Sequence, residues 1–278
     1  MSSIEYLIKR LNQEKKPILF LLSRILWRSR MSQFLTVKCQ FYRLRFFPTS
    51  ISAEKWVYPD FRKEDEDFLT SYLRNGDVVI DIGANVGTLT LTAAHLVGAS
   101  GKVFSIEAHP VIFIYLKDNV ALNKFKNVCV FNAAIGNKTG YIQFSNKLYD
   151  ELNEVVSRDG IQIEVKKLDD LLRDRIETVS LLKVDVEGYE KFIFEGALET
   201  LRKTECIYFE SWEQHFIKYS YSTIDVLELL KNSGFNLYKL SDNKVKPIQG
   251  NYISEVCENL LAIRNIGEFS ARTGLYLH

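Results

Sequence analysis

The sequence predicts an α/β fold: a doubly wound, mostly parallel sheet with an N-terminal extension. Three observations carry that expectation. The stretch "DVVIDIGANVGTLTL" (77–91) is an apolar run that ends at a glycine turn and restarts with helical character. Short Val/Ile-rich runs then alternate with longer helical ones up to residue 136, and the alternation resumes at 179. Strands that alternate with helices argue for parallel pairing with helices on both faces.

Each element follows from its local pattern. "DVVIDIG" lies between Gly76 and Gly83 and reads as a buried strand. "TLTLTAAHLVG" reads as a helix that stops near Gly98. "GKVFSIEA" is the second strand, and "VIFIYLKDNVALNKF" the second helix, with Pro110 near its start. "NVCVFNAAIG" is the third strand. "TGYIQFSN" and "GIQIEVKKL" read as strands of an insertion, separated by a polar, acidic stretch. "VSLLKVDVEG" is the fourth core strand, and "YEKFIFEGALETLRK" a helix with apolar positions three and four apart. "ECIYFESW" follows as a strand and "STIDVLELLKNSG" as a helix ending at Gly234. "FNLYKL" and "ENLLAIR" complete seven core strands. The expected division is a basic, partly helical extension over 1–67 and one domain over 68–278.

At 278 residues, 46% hydrophobic and 26% charged, the chain has ample material for a core. The overall charge is +1, but residues 1–63 carry 13 Lys or Arg against 4 Asp or Glu. A basic segment on an acidic body suggests an anionic neighbour, a solvated face or a segment that docks on its own domain. "PILFLLSRILW" (17–27) is too short to span a bilayer, and Arg24 interrupts it. With Arg24, Arg28 and Arg30 it reads as a basic amphipathic helix, which either contacts a membrane peripherally or packs on the domain. The four cysteines have no zinc-binding or C-x-x-C spacing. Cys129 and Cys206 sit in apolar runs as small core residues, which favours a cytoplasmic setting.

The glycine turn suggests what the protein binds. A strand, a tight turn at Gly83 and a helix starting behind Gly87 expose backbone N–H groups to a ligand. Glu107 ends the second strand 20 residues after Gly87, where an acid can accept from ribose hydroxyls. The dinucleotide fingerprint needs G-x-G-x-x-G, but Asn85 stands at the second glycine position, which disfavours a nicotinamide-dependent oxidoreductase. Asp81 beside the turn suits a cationic ligand part. S-adenosylmethionine offers both an ammonium and a ribose.

"DVVIDIGANVGTLTL", "SIEAHP", "FNAAIGN" and "LLKVDVEGYEKFIFEGA" resemble the FkbM-type family of S-adenosylmethionine-dependent methyltransferases, over roughly 74–240. The resemblance implies a Rossmann-like seven-strand methyltransferase fold. It also implies O-methylation of a sugar, glycolipid, polysaccharide unit or secondary metabolite. By the same resemblance Asp81, Gly83, Asn85 and Gly87 line the methionine end of the cofactor, Glu107 holds the ribose, and Asn132 and Ala133 lie near the adenine. His109 stands where the family more often has Asn, and reads as an adenine-side variant.

"LLKVDVEGYE" spaces Lys183, Asp185 and Glu187 two apart, so a continuing strand would put all three on one face. Charged residues among Leu and Val are costly to bury without a purpose. Removing an acceptor proton needs a base, so Asp185 and Glu187 are the candidate catalytic carboxylates, with Lys183 as their partner. A Lys–carboxylate pair that merely anchors the turn is the plainer reading. Glu210, ending the next strand, pairs with Asp185 as the set that would take Mg²⁺ if a metal is used. His215 reads as a surface or core residue, and Trp212 and Tyr189 as packing or sugar-stacking groups. The expected partner is a small-molecule or glycan acceptor. Nucleic acid is disfavoured, because the acidic core would repel a polyanion. Carboxyl or N-methylation, or nucleoside binding without catalysis, are the alternatives.

Overall fold

The computed structural model describes residues 14–29, 34–145, 154–156, 158–241 and 244–276. Part of the extension and much of the stretch expected between the two insertion strands therefore lie outside the described residues. In the N-terminal segment, α1 (Pro17–Ser29) packs on α2 (Ser50–Val57), and β1 (Thr36–Lys38) pairs antiparallel with β2 (Arg43–Arg45). The next helix, α3 (Lys63–Tyr72), runs across position 67 into the body. The first βαβαβ run is β3 (Val78–Ile82), α4 (Thr88–Val97), β4 (Lys102–Glu107), α5 (Pro110–Leu122) and β5 (Val128–Asn132). The insertion holds β6 (Ala134–Ile135), β7 (Gly140–Phe144), β8 (Val155–Val156), β9 (Ile161–Lys166) and α6 (Leu168–Leu172). Then come β10 (Val179–Val184), α7 (Glu190–Glu195), α8 (Leu198–Arg202), β11 (Thr204–Ser211), α9 (Glu213–Ile217) and α10 (Thr223–Asn232). The chain finishes with β12 (Asn236–Ser241), β13 (Lys244–Pro247), β14 (Glu258–Ile263) and α11 (Ile266–Thr273).

The main sheet has the order β13-β12-β14-β11-β10-β3-β4-β5. Strands β5, β4, β3, β10 and β11 are parallel, while β14 runs antiparallel to both its neighbours. This is the expected doubly wound, seven-strand sheet, extended by β13 at its edge. Both faces are buried, which is why the core strands read as apolar runs. On one face Ile80, Phe104, Leu182 and Ile207 pack under α7 and α10; on the other, Val79, Val103, Leu181 and Cys206 pack under α3, α4 and α11.

Three segments differ from their expected form. "NVCVFNAAIG" is not one strand: β5 ends at Asn132, and β6 pairs with β9 in a separate four-stranded sheet, β6-β9-β7-β8. The helix expected over 189–203 breaks at Gly196, where an added Cβ would stand 2.0 Å from the Gly136 carbonyl oxygen. The strand through Lys183 stops at Val184, so Asp185 and Glu187 leave the sheet instead of extending one face of it.

The N-terminal segment docks on the body through specific polar contacts. The Arg43 N–H donates to Asn123, which caps α5, at 2.7 Å, and the Arg45 N–H to Asn119 within α5 at 2.8 Å. Asp65 of α3 accepts from the Tyr208 hydroxyl on β11 at 2.5 Å. On α1, Ile18, Leu22 and Ile25 remain exposed. No described helix is long and apolar enough to cross a membrane.

Candidate functional site

The strand order reverses between β3 and β10, and a cavity opens beyond the carboxyl ends of β3, β4 and β10. Open α/β sheets bind ligands at such a switch point. Gly83, Asn85, Glu107, Ala133, Asp185 and Glu187 all line the cavity. Ile51 and Arg62 close it from the N-terminal segment, and Phe144 and Val155 from the insertion. The N-terminal segment and the insertion thus both reach the cavity.

The glycines serve the backbone before any ligand. Gly83 has φ +75°, and a Cβ there would stand 1.8 Å from the Asp185 carbonyl oxygen. The empty side of Gly83 is filled by the strand end that carries Asp185. At Gly87, with φ +96°, a Cβ would stand 2.7 Å from Leu116 Cδ1 on α5. Asn85 is left-handed at φ 49°, and its N–H donates to Glu107 Oε2 at 2.9 Å. The His109 N–H donates to Glu107 Oε1 at 2.8 Å. Glu107 is thereby fixed across the turn, its carboxylate at the cavity wall. Asn132 does not line the cavity; its amide donates to the Glu107 and Ala108 carbonyls at 2.9 and 3.0 Å. His109 is buried, and its Nδ1 accepts from the Val111 N–H at the start of α5.

Asp81 and Lys183 lie beneath the cavity, not on its wall. Asp81 is 2% exposed and Lys183 5% exposed, so their charges need partners. Lys183 Nζ stands 3.2 Å from Asp81 and 3.6 Å from Asp185, and donates to the Gly83 carbonyl at 2.9 Å. The Thr90 hydroxyl donates to Asp81 at 2.5 Å. Arg62, 123 residues before Asp185 in sequence, donates to its Oδ2 at 2.9 Å. Burial alone would raise the Asp185 pKa; Lys183 and Arg62 outweigh it and hold the carboxyl below its usual range. Burial alone would lower the Lys183 pKa, but Asp81 and Asp185 hold it above the usual value.

Glu187 has a different environment. It is left-handed at φ 59°, an unfavourable conformation for a residue with a Cβ. Among the described residues its ion-pair partner is His215, whose Nδ1 is 3.3 Å from Oε2. Glu210 Oε2 is 3.7 Å from the same nitrogen. Burial, then the nearby Glu210 and Asp185 charges, push the Glu187 carboxyl up to about 9. The expected Asp185–Glu210 pair for Mg²⁺ is therefore not the grouping formed. Asp185 is committed to Arg62 and Lys183, whereas Glu210 turns toward Glu187 and His215. Sequence reasoning passed over Arg62, which no local motif marks, and ranked His215 as a surface or core residue.

Glu190 supports the loop from below. It is 1% exposed, and its Oε1 accepts from the Val186 and Gly188 N–H groups at 3.1 and 3.4 Å. Burial, then the Glu210 charge, push its carboxyl up to about 8, against an ordinary 4.5. The folded state therefore keeps a proton that the unfolded chain releases. The stabilisation is complete below about 4.5 and is lost as the pH rises to about 8. Glu190→Gln keeps the acceptor and removes the titration. It is expected to match the wild type at pH 5 and to gain stability over it by pH 8.5, by ~1.4 kcal/mol per unit of pKa separation. Urea unfolding at the two pH values measures this; an unchanged gap would refute it.

Residues 81–237, more than half of the chain, match the Methyltransferase FkbM domain. Methyltransferase sdnD of Sordaria araneosa is 24% identical over 232 residues, covering 70% of this chain and 87% of that protein. The 2-O-methyltransferase NoeI of Sinorhizobium fredii is 27% identical over 184 residues, covering 58% and 74%. The hexuronic acid methyltransferase AglP of Haloferax volcanii is 25% identical over 174 residues, covering 61% and 70%. The matched span holds the glycine turn, Glu107 and the acidic strand end that meet at the cavity, and the chain belongs to the FkbM methyltransferase family.

Proposed function

We propose that the protein is an S-adenosylmethionine-dependent O-methyltransferase acting on a hydroxyl of a sugar, glycolipid, polysaccharide unit or secondary metabolite. The observation that carries this reading is the cavity at the switch point, lined by Gly83, Asn85 and Glu107 together with Asp185 and Glu187. Two relatives are named for a 2-O-methyltransferase and a hexuronic acid methyltransferase, which supports a sugar acceptor.

In this reading Glu107, held by two backbone N–H groups, accepts from the ribose hydroxyls, and Ala133 borders the adenine. Asp81 acts through Lys183 from beneath the turn. The cofactor supplies an activated methyl group. With that cofactor bound, the acceptor oxygen would take the methyl group, and the chain's own task would be to hold the hydroxyl in place and accept its proton. Most of the catalysis is positioning. Asp185, tied to Arg62 and Lys183, orients the acceptor. Glu187 has no Lys or Arg within ion-pair distance among the described residues; its raised pKa makes it the stronger base, and it takes the proton once it is itself ionised. Residues 1–67 act as an extension that completes the acceptor side through Ile51 and Arg62.

Calorimetric titration tests the cofactor assignment. The wild type is expected to bind S-adenosylhomocysteine and not NAD. Glu107→Ala should weaken that binding by ~10-fold or more, since it removes hydrogen bonds to a charged group. Glu107→Gln, which keeps one carbonyl acceptor, should fall between the two. A folded wild type that binds no S-adenosylhomocysteine would overturn the reading.

A further inference from the structure

The two carboxylates beside the cavity converge on a histidine. Glu187 comes from the loop after β10, Glu210 from β11 and His215 from α9. One donor atom from each lies within 4.8 Å of the other two. His215 is 9% exposed, and its Nδ1 is buried without a hydrogen-bond partner, although it faces both carboxylates. A buried nitrogen with no hydrogen bond leaves its polar contact unmade, which is costly. The imidazole is nevertheless held in place. Its ring packs on Trp212 with centroids 4.3 Å apart, and its backbone carbonyl oxygen lies so close to Gly188 that a Cβ there would stand 2.8 Å from it. On the other side Glu210 Oε1 accepts from the Cys257 thiol at 3.1 Å, which leaves Oε2 toward His215.

The spacing fits a common ion. Two ligands each about 2.1 Å from one metal stand roughly 3.0 to 3.4 Å apart, depending on whether the geometry is octahedral or tetrahedral. His215 Nδ1 stands 3.3 Å from Glu187 Oε2 and 3.7 Å from Glu210 Oε2. These are longer than good hydrogen bonds and close to ligand–ligand separations. We propose that Glu187, Glu210 and His215 form a binding site for a divalent first-row transition ion such as Mn²⁺ or Zn²⁺. The imidazole ligand is what separates this site from one for Mg²⁺ or Ca²⁺, which take oxygen ligands.

Three protein ligands leave coordination positions open, and Glu187 lines the cavity. An acceptor hydroxyl could enter one of them, where an ion lowers the pKa of a bound oxygen. Glu187 would then be a ligand and the ion would acidify the hydroxyl. The binding claim itself goes beyond the methyltransferase reading and does not depend on it.

The test is titration of metal-free, full-length protein with MnCl₂, followed by electron paramagnetic resonance and calorimetry. One Mn²⁺ per chain is expected, displaced by Zn²⁺ and at least tenfold tighter than Mg²⁺. Glu187→Gln, Glu210→Gln and His215→Ala should each weaken it at least tenfold. Circular dichroism checks that each variant is folded, and His215→Gln, closer in size, stands in if the alanine variant is not. Absence of saturable Mn²⁺ and Zn²⁺ binding in the wild type would overturn the proposal, as would binding that the folded variants retain unchanged. S-adenosylhomocysteine titrated separately distinguishes failure of this site from failure of the cofactor assignment.

Discussion

Gly83→Ala is expected to destabilise the protein by ~4 kcal/mol or more and to abolish S-adenosylhomocysteine binding. Two costs combine. A non-glycine residue at φ +75° pays about 1–2 kcal/mol for a left-handed backbone. The added Cβ would also stand 1.8 Å from the Asp185 carbonyl oxygen, and that neighbour is backbone, not the tip of a side chain. Relief requires β3 and β10 to separate at their carboxyl ends, where the Asp185 N–H donates to the Ile82 carbonyl at 3.2 Å. Gly87→Ala gives the contrast. Its φ is also positive, but the obstacle is Leu116 Cδ1, the end of a side chain that can turn. It should cost roughly 1–2 kcal/mol. Urea unfolding of both variants decides the matter: equal destabilisation would mean that the Asp185 contact is not what demands glycine at 83.

Lys183→Met should cost about 3–5 kcal/mol, because it leaves buried carboxylates without their cation. Asp81 at 2% exposure would lose the ammonium 3.2 Å away and keep, among the described residues, only the Thr90 hydroxyl as a close polar side-chain partner. Asp185 would retain Arg62. The strain should therefore concentrate on Asp81, and adding Asp81→Asn should recover part of the loss. A double-mutant cycle on unfolding free energies measures this coupling. Additive losses would show that Lys183 and Asp81 do not depend on each other. This pair also clarifies the strand-end motif. Lys183 acts from below, as an anchor of the turn and a counter-charge to Asp185, and only the residues beyond the strand reach the cavity.

Much of the fold was legible because the core strands are buried on both faces. That burial writes itself as the short Val/Ile runs of β3, β4 and β10, bounded by glycine. The Gly83–Glu107 part of the cavity lining was legible for a related reason. The turn at Gly83 and the acid at Glu107 come from adjacent strands, and their spacing is set by one intervening helix. The breaks at Ala133 and Gly196 were not legible. Both depend on packing between the insertion and the α7–α8 region, seen where the Gly136 carbonyl closes on Gly196. The short β13 and the final α11 also went unread, the latter resting its Phe269 against Phe68 and Tyr72 of α3.

By itself, the sequence determined the alternation of elements, the strand-end positions of Gly83 and Glu107, and the family, because these are encoded in contiguous runs with local periodicity. Only the tertiary structure decided which charges meet. Arg62 reaches Asp185 across 123 residues, and Glu210 joins Glu187 and His215, not Asp185. The physical reason is that pairing among buried charges is set by distances between strand ends and docked segments. Those distances arise only when the sheet closes and the N-terminal segment settles onto it.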